Sequence, residues 1–217
     1  MAKYDKEFLK KNLYSGVISD VLDGMGYRNQ MIGNKIFPLK DDTVIYGPAF
    51  TSIATEVYSM PENPLTAQCK VVDQLKEDEI YVLVQRGSYN CAVFGELFAT
   101  AVLGRKGAGV LLDAYARDLK ALKEMDFPLF YAGTDPRTSK GRAEINECQI
   151  PVIMDGVTIN PGDIIFGDID GVAVIPKDIA DEVIEKSITT MKSEDEVRDG
   201  LRAGASLESV YSKHGTI

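Results

Sequence analysis

The 217-residue chain contains a single histidine, His214, near its C-terminal end, and three cysteines that lie too far apart to form a CxxC pair. A Ser-His-Asp triad, an HExxH zinc site or a multi-histidine iron site would each have to use that one histidine, which disfavours all three. Any bound metal is therefore expected among oxygen ligands, which indicates Mg²⁺, Mn²⁺ or Ca²⁺. The cysteines Cys69, Cys91 and Cys148 are predicted to be buried free thiols.

The sequence also lacks a long apolar run and a dense block of basic residues. No stretch approaches the ~20 apolar residues that a membrane-spanning helix needs, and residues 1–7 lead into no apolar segment of the secretory type. Acidic residues outnumber basic ones by 33 to 24, which gives a formal charge of −9. This charge disfavours binding to nucleic acid or to an anionic membrane. We therefore predict a soluble cytoplasmic protein with neither of these partners.

Apolar and β-branched runs alternate with helical patterns along the chain. Helical spacing indicates helices over residues 8–22, 65–75, 96–103, 178–202 and 206–213. Strands are predicted at 43–46 and 50–53, interrupted by Gly47-Pro48, and then at 80–84, 110–113, 128–132, 152–154, 164–166 and 171–175. Because strands crowd together after residue 128, the pattern favours one α/β domain over residues 1–217 with a mixed sheet, rather than a doubly wound parallel fold.

Arg117 and Asp118 stand at the predicted carboxyl end of a strand, where α/β sheets commonly bind ligands. A guanidinium can clamp a carboxylate, and an aspartate oxygen can bind a hard cation. Residues 95–98, at the predicted start of a helix, offer free backbone amides that suit an anion. From spacing alone, a surface ion pair or a helix cap remains an alternative interpretation of Arg117 and Asp118.

Two other segments are interpreted as turns rather than as ligand sites. Residues 104–109 contain three glycines but lack the GxGxxG order and precede a strand, so they do not predict a phosphate site. Residues 167–171 begin like a calcium loop, but the later ligand positions fall on Val172 and Ile179. We expect a tight turn there, with aspartates that accept hydrogen bonds from backbone amides.

The chain resembles the RraA-like family, whose best understood enzymes are the 4-hydroxy-4-methyl-2-oxoglutarate aldolases. The resemblance rests on Gly95-Glu96-Leu97-Phe98-Ala99-Thr100-Ala101, on residues 107–113 and on Arg117-Asp118. It continues, in order, in residues 18–23, 47–51, 61–65, 161–163 and 167–176. It thus covers nearly the whole chain. The family also includes a ribonuclease-regulating protein.

The resemblance implies a divalent-metal aldolase that cleaves 4-hydroxy-2-oxo acids, such as 4-hydroxy-4-methyl-2-oxoglutarate, to pyruvate, with oxaloacetate decarboxylation as a side reaction. Asp118 matches the residue that ligates Mg²⁺ or Mn²⁺ directly. Arg117 matches the residue that contacts the substrate and stabilises the enolate oxygen. The implied pyruvyl-carboxylate site is the set of backbone amides of Gly95, Glu96, Leu97 and Phe98.

Further acids complete the implied metal site. Glu96 takes the place of an acid that hydrogen-bonds metal-bound water, and Glu194 or Glu196 of a neighbouring subunit fills a similar role. The implied fold is an αββα sandwich, similar to the swivelling phosphohistidine domain, assembled as a homotrimer or hexamer with the C-terminal helices (about 177–213) at a subunit interface.

One departure from the family pattern bears on the substrate pocket, and one alternative function stays open. Tyr115 stands where many relatives carry a small residue, and we expect it to narrow or reshape the substrate pocket. The alternative function is a non-catalytic regulator of ribonuclease activity that binds a protein partner through its acidic surface.

Overall fold

The computed structural model describes residues 4–33 and 35–214. The helices in these ranges are α1 (Lys6–Asn12), α2 (Ser15–Gly24), α3 (Thr66–Val72), α4 (Glu96–Gly104), α5 (Leu119–Glu124), α6 (Ala180–Arg202) and α7 (Leu207–His214), with a 3-10 turn at Lys177–Ile179. The strands are β1 (Met31–Ile32), β2 (Phe37–Pro38), β3 (Ile45–Glu56), β4 (Ile80–Arg86), β5 (Ala92–Phe94), β6 (Gly109–Ala116), β7 (Leu129–Thr134), β8 (Ala143–Cys148), β9 (Val152–Met154), β10 (Val157–Ile159), β11 (Ile164–Asp168) and β12 (Gly171–Ile175). No helix in these ranges is both long and apolar enough to cross a membrane.

Ten of the strands form one mixed sheet, which confirms the predicted fold class. The strand order is β1-β12-β11-β3-β4-β6-β7-β2, with β5 beside β6 and β8 beside β3. Strands β3, β4, β6 and β7 run parallel, whereas β11 and β12 are antiparallel to their neighbours. The carboxyl ends of the parallel strands therefore share one edge of the sheet, and β9 and β10 form a separate hairpin.

The sheet folds over itself, so that its two halves enclose an apolar cluster. A Cβ added to Gly167 on β11 would lie 3.1 Å from the ring of Phe130 on β7, although three strands separate β11 from β7 in the sheet order. A second apolar cluster lies between the sheet and α3, α4 and α5, and a third lies beneath α1, α2 and α6. This order of layers is the expected αββα arrangement.

Two of the predicted elements are divided differently in the structure. Strand β3 runs through Gly47-Pro48 without interruption, because its first part pairs with β11 and its second part with β4. Gly47 is needed there, since an added Cβ would lie 2.2 Å from the carbonyl oxygen of Asp78. The single helix predicted over 8–22 is two helices, because Leu13 and Tyr14 adopt extended backbone conformations.

The cysteines are free, but they are not all buried as predicted. Cys91 is buried, Cys148 is half-buried and Cys69 is exposed on α3. That helix turns Gln68, Val71 and Val72 towards the core, so position 69 faces solvent.

Residues 167–171 form the predicted turn, and the hydrogen bonds to the carboxylate of Asp168 hold it in place. That carboxylate is buried and accepts hydrogen bonds from the amide of Asp170 (3.1 Å) and from the amide and hydroxyl of Ser15 (2.7 Å each). Ser15 is the first residue of α2, so the turn between β11 and β12 also caps that helix.

We expect Asp168→Ala to lower the free energy of unfolding by about 3 kcal/mol, because three donors lose a charged acceptor in a buried place. Urea denaturation measures the change. The matched control is Asp170→Ala, which removes an exposed carboxylate from the same turn and should cost less than about 0.5 kcal/mol. Equal losses in the two variants would contradict this role of Asp168.

Candidate functional site

The end of β6 places Arg117 and Asp118 beside the start of α4. The amide of Arg117 donates to the carbonyl oxygen of Phe94, the last residue of β5 (2.9 Å). Asp118 follows with a left-handed backbone (φ 60°), a conformation that aspartate tolerates better than most residues. Its side chain makes no capping hydrogen bond to α5, which it precedes, and lies instead beside α4. The alternative interpretation of Arg117 and Asp118, a surface ion pair or a helix cap, stays open, because Oδ2 of Asp118 accepts a hydrogen bond from the amide of Glu96, the first residue of α4.

The N-terminus of α4 presents unpaired backbone amides. Gly95 is the capping residue and has no side chain to satisfy them. The amide of Glu96 donates to Oδ2 of Asp118 at 3.4 Å, while the amides of Leu97 and Phe98 have no acceptor among the described residues. Free amides and the positive end of the helix dipole together favour an anionic ligand here.

Gly95 allows the side chains of Arg117 and Asp118 to approach the N-terminus of α4 closely. A Cβ at this position would lie 2.6 Å from Oδ2 of Asp118 and 3.1 Å from Cγ of Arg117. The first distance is well below van der Waals contact. An added side chain would therefore push the carboxylate of Asp118 and the side chain of Arg117 away from the α4 N-terminus.

We expect Gly95→Ala to weaken the binding of an anion such as oxalate at this site by about 10-fold, because the methyl group displaces the two charged side chains from the helix N-terminus. The control is Gly104→Ala at the other end of α4, where an added Cβ meets nothing within 4 Å. Its affinity for oxalate should stay within about twofold of the parent. Titration calorimetry of both proteins, with matched thermal unfolding, separates loss of geometry from loss of folding.

All of the site residues predicted near α4 and β6 line one cavity of about 320 Å³, which we call the Arg-Asp cavity. They are joined there by residues that the sequence patterns did not single out as site residues. The full lining is Leu65, Ala92, Val93, Phe94, Gly95, Glu96, Leu97, Phe98, Arg117, Asp118, Thr138 and Ser139.

The charged groups of the Arg-Asp cavity are close together and partly exposed. Nε of Arg117 lies 3.5 Å from Oδ2 of Asp118, and the two side chains are 41% and 45% exposed. At this exposure solvent screens the pair, so the contact contributes little to stability. Both groups stay available to a ligand. The hydroxyl of Thr100, one turn along α4, lies 3.1 Å from both Oε1 and the carbonyl oxygen of Glu96, so its one proton is shared between these two acceptors.

The donor set suits a hard divalent cation that keeps most of its water. Oδ1 of Asp118 has no hydrogen-bond donor among the described residues, and the carboxylate faces the cavity. Within residues 4–33 and 35–214, no three His, Cys, Asp or Glu side chains cluster closely enough to hold a metal by themselves. Mg²⁺ typically takes one or two protein carboxylates and several waters, so Asp118 is a suitable ligand.

The profile of the family described as "RraA-like: Aldolase/RraA" matches residues 16–174, which is most of the chain and includes every lining residue of the Arg-Asp cavity. The chain belongs to the RraA-like family.

RraA-like relatives carry different names. The chain is 32% identical over 200 residues to protein DlpA of Legionella pneumophila. The matched region covers 91% of this chain but only 32% of DlpA. It is 31% identical over 182 residues to a protein of Halalkalibacterium halodurans named "Putative 4-hydroxy-4-methyl-2-oxoglutarate aldolase", covering 84% of the chain and 81% of the relative.

A solved RraA-like structure has the same fold. The crystal structure of Streptomyces coelicolor RraAS2, described as an unusual member of the RNase ES inhibitor RraA protein family, superposes with a TM-score of 0.75. The match covers 91% of this chain and 98% of that one at 24% identity. This likeness bears on the fold alone.

In this RraA-like chain Tyr115 does not line the Arg-Asp cavity. The prediction that Tyr115 narrows or reshapes that pocket is therefore wrong. Tyr115 lies on the opposite face of β6 from Ala114 and Ala116, because side chains alternate along a strand. Its ring packs over Gly133 and lies 5.3 Å, centroid to centroid, from the ring of Tyr89. It lines a separate cavity of about 780 Å³.

The two acids predicted to reach a neighbouring subunit lie on α6. Glu194 accepts hydrogen bonds from the hydroxyl of Tyr14 and from the guanidinium of Arg198 within the same chain. Burial and the Glu194 carboxylate raise the pKa of Tyr14 to about 12. Glu196 is exposed. The contribution of either acid to a second subunit, and the homotrimer or hexamer itself, stay predictions.

Proposed function

We propose that this RraA-like protein is a lyase that cleaves 4-hydroxy-2-oxo acids to release pyruvate. The observation that carries the proposal is the meeting of three groups in one cavity: the open N-terminus of α4, the guanidinium of Arg117 and the free carboxylate oxygen of Asp118. The 31%-identical aldolase-named relative supports the same reaction class.

The carboxylate of the substrate would be held by the amides of Leu97 and Phe98. These two donors have no acceptor among the described residues, so a ligand carboxylate would satisfy both of them. Held in this way, the 2-oxo group can lie next to Arg117, which lines the same cavity. Arg117 would then donate to the oxygen on C2.

Bond cleavage moves electrons from the C3–C4 bond towards the oxygen on C2. The C4 hydroxyl loses its proton, C4 becomes the carbonyl carbon of the released aldehyde or ketone, and the remaining three carbons form the pyruvate enolate. Arg117 stabilises the negative charge that develops on the enolate oxygen, an interaction stronger in the transition state than in the substrate. The group that took the proton from the C4 hydroxyl returns a proton to C3, directly or through water, which gives pyruvate.

Glu96 is the group of this chain that would receive the C4 hydroxyl proton. Thr100 binds its Oε1, which leaves Oε2 to accept a proton directly or through one water. Asp118 would hold Mg²⁺ or Mn²⁺, and such a cation supplies Lewis-acid stabilisation of the developing oxyanion. Decarboxylation of oxaloacetate produces the same enolate, so we include it as a side activity.

The alternative function is regulation of a ribonuclease by protein binding, and it predicts different behaviour. A regulator needs no divalent cation and no intact Arg-Asp cavity. The charge of −9 permits an acidic docking surface, but it does not account for the convergence of amides, guanidinium and carboxylate on one cavity.

The experiment that tests the proposal is a coupled assay of pyruvate release from 4-hydroxy-2-oxo acids and from oxaloacetate. The assay is run with Mg²⁺ or Mn²⁺ and is then repeated with excess chelator. The expected result is cation-dependent pyruvate release that chelator removes and added cation restores. Absence of pyruvate from every substrate in the presence of either cation would contradict the proposed function.

A further inference from the structure

The larger cavity, of about 780 Å³, opens on the face of β6 opposite to the Arg-Asp cavity. We call it the Tyr-pair cavity, because the rings of Tyr89 and Tyr115 line it. It lies where β4 and β6 end, at the edge of the sheet at which parallel strands commonly bind ligands. Its described lining residues belong neither to the Arg-Asp cavity nor to α6 and α7, the helices predicted at a subunit interface. The Tyr-pair cavity is therefore a separate candidate site.

The hairpin of β9 and β10 forms one wall of this cavity and is held at two points. The guanidinium of Arg86 donates to the carbonyl oxygen of Ile153 at 2.6 Å, and the ammonium of Lys35 lies 2.7 Å from Oδ1 of Asp155. Asp155 and Gly156 form the tight turn of the hairpin with left-handed backbones (φ 47° and 82°), a combination typical of two-residue hairpin turns. The wall is thus fixed by contacts on two sides.

Arg86 is the cationic group of the cavity that carries no ion pair. Lys35, the other cation of the described lining, is neutralised by Asp155. The hydrogen bond to Ile153 uses one N–H of Arg86, and no carboxylate within residues 4–33 and 35–214 pairs with its guanidinium. The remaining N–H groups of this exposed side chain can bind a ligand carboxylate through two parallel hydrogen bonds.

Asp113 is the anionic group of the cavity without an ion pair among the described residues. Its Oδ1 accepts a hydrogen bond from the hydroxyl of Tyr89 (2.5 Å), whereas its Oδ2 has no donor in the described part of the chain. Burial and the bond to Asp113 raise the pKa of Tyr89, so the phenol keeps its proton and remains the donor. A half-buried carboxylate with one free oxygen favours a cationic donor from a ligand.

The sheet register places Arg86 and Asp113 within reach of one small molecule. Val84 of β4 lies directly opposite Asp113 of β6, and Arg86 follows Val84 by two residues, so its side chain leaves the same face of the sheet. Ordinary strand spacings then separate the Cα atoms of Arg86 and Asp113 by roughly 8 Å. The two side chains form no ion pair with each other. A ligand that carries both a carboxylate and an ammonium group can therefore bind between them.

Aromatic rings and an apolar floor complete the Tyr-pair cavity. The rings of Tyr89 and Tyr115 lie 5.3 Å apart, centroid to centroid, at an angle of 55°. The floor consists of Ile36, Ala132 and Met154, which belong to the apolar cluster between the two halves of the sheet. The faces of aromatic rings attract an ammonium group, and the floor suits an apolar side chain.

We infer that the Tyr-pair cavity is a binding site for an α-amino acid in its zwitterionic form, with an apolar or aromatic side chain. Arg86 binds the carboxylate of this ligand, Asp113 accepts hydrogen bonds from its ammonium group, and its side chain packs on the floor of the cavity. The charges of Arg86 and Asp113 cancel, which matches a zwitterion. The inference does not rest on the proposed lyase activity.

Three probes separate the groups that this site would recognise. L-phenylalanine carries both charges, 3-phenylpropionate lacks the ammonium group, and 2-phenylethylamine lacks the carboxylate. Calorimetric titration is expected to show binding of L-phenylalanine and at least about tenfold weaker binding of each analogue. Equal affinity for either analogue, or the absence of binding by both L-phenylalanine and L-leucine, would overturn the inference and leave the proposed function unaffected.

Two substitutions test the assignment of the charged partners. Arg86→Gln and Asp113→Asn are each expected to weaken the binding of L-phenylalanine by at least about tenfold. Glutamine can still donate to the carbonyl oxygen of Ile153, and asparagine can still accept from the hydroxyl of Tyr89. Arg86 is exposed, so its variant tests the assignment even if Asp113→Asn does not fold. Unchanged affinity in every folded variant would overturn the assignment.

The control variant is Arg117→Ala, which removes the guanidinium from the Arg-Asp cavity. Its affinity for L-phenylalanine should stay within about twofold of the parent, because the two cavities share no lining residue among those described. Loss of L-phenylalanine binding in folded Arg117→Ala would place the amino acid in the Arg-Asp cavity and overturn the inference.

Discussion

Asp118→Asn is expected to lower kcat/KM for pyruvate release by about 10³-fold or more, because the amide cannot replace a carboxylate as the cation ligand. Asparagine is the appropriate substitution at this position. The backbone of Asp118 is left-handed (φ 60°), and asparagine tolerates that conformation whereas alanine does not. The fold of the variant should therefore be preserved, so the loss can be assigned to the missing charge.

The control for Asp118→Asn is Asp126→Asn. Asp126 also has a left-handed backbone (φ 53°), and it lies in the turn after α5, away from the Arg-Asp cavity. Its carboxylate forms a surface ion pair with Lys40 (2.6 Å). Activity within about twofold of the parent is expected for this variant. If Asp118→Asn retained full activity, Asp118 would have no part in the chemistry.

Arg117→Lys is expected to lower kcat/KM by about 10²- to 10³-fold, although it keeps the positive charge. The ammonium group lacks the planar fork with which a guanidinium can donate to the C2 oxygen and another acceptor at once. Arg117→Ala should be at least as impaired. Neither change affects the hydrogen bond from the backbone N–H of residue 117 to the carbonyl oxygen of Phe94, so β5 and β6 should stay aligned.

A useful control for the Arg117 variants is Arg105→Lys. Arg105 directly follows α4, and its guanidinium contacts Asp73 at 2.6 Å outside the cavity. Its replacement should leave kcat/KM within about twofold of the parent. Parallel circular dichroism and thermal unfolding would show that all three variants are folded. Full activity in both Arg117→Lys and Arg117→Ala would remove Arg117 from the mechanism.

Features encoded by short-range patterns could be predicted from the sequence. The strand at 171–175 and the helix beginning after Gly95 occur where the apolar runs and the glycine indicated. Features that depend on contacts between distant segments could not. The passage of β3 through Gly47-Pro48 follows from its change of partner from β11 to β4, which no local pattern contains.

The same distinction applies to the Arg-Asp cavity. Arg117 and Asp118 could be found because they end an apolar strand. Thr138 and Ser139 could not, because they reach the cavity through a bridge between Ala92 and Thr138 and through the hydrogen bond from the Ala92 amide to the Arg137 carbonyl (2.9 Å). The sequence did contain a signal that Tyr115 points away from the Arg-Asp cavity. Alternation along β6 puts it on the face opposite to Ala114 and Ala116.

The most direct test of the proposed chemistry uses oxalate, a stable dianion that mimics the pyruvate enolate. Calorimetry is used to titrate oxalate into the parent protein with and without Mn²⁺, and into Asp118→Asn and Arg117→Ala with Mn²⁺. We expect binding by the parent that needs Mn²⁺ and a loss of affinity of at least about tenfold in each variant. Equal oxalate affinity with and without Mn²⁺, or in parent and variants, would contradict joint stabilisation of the enolate by a cation on Asp118 and by Arg117.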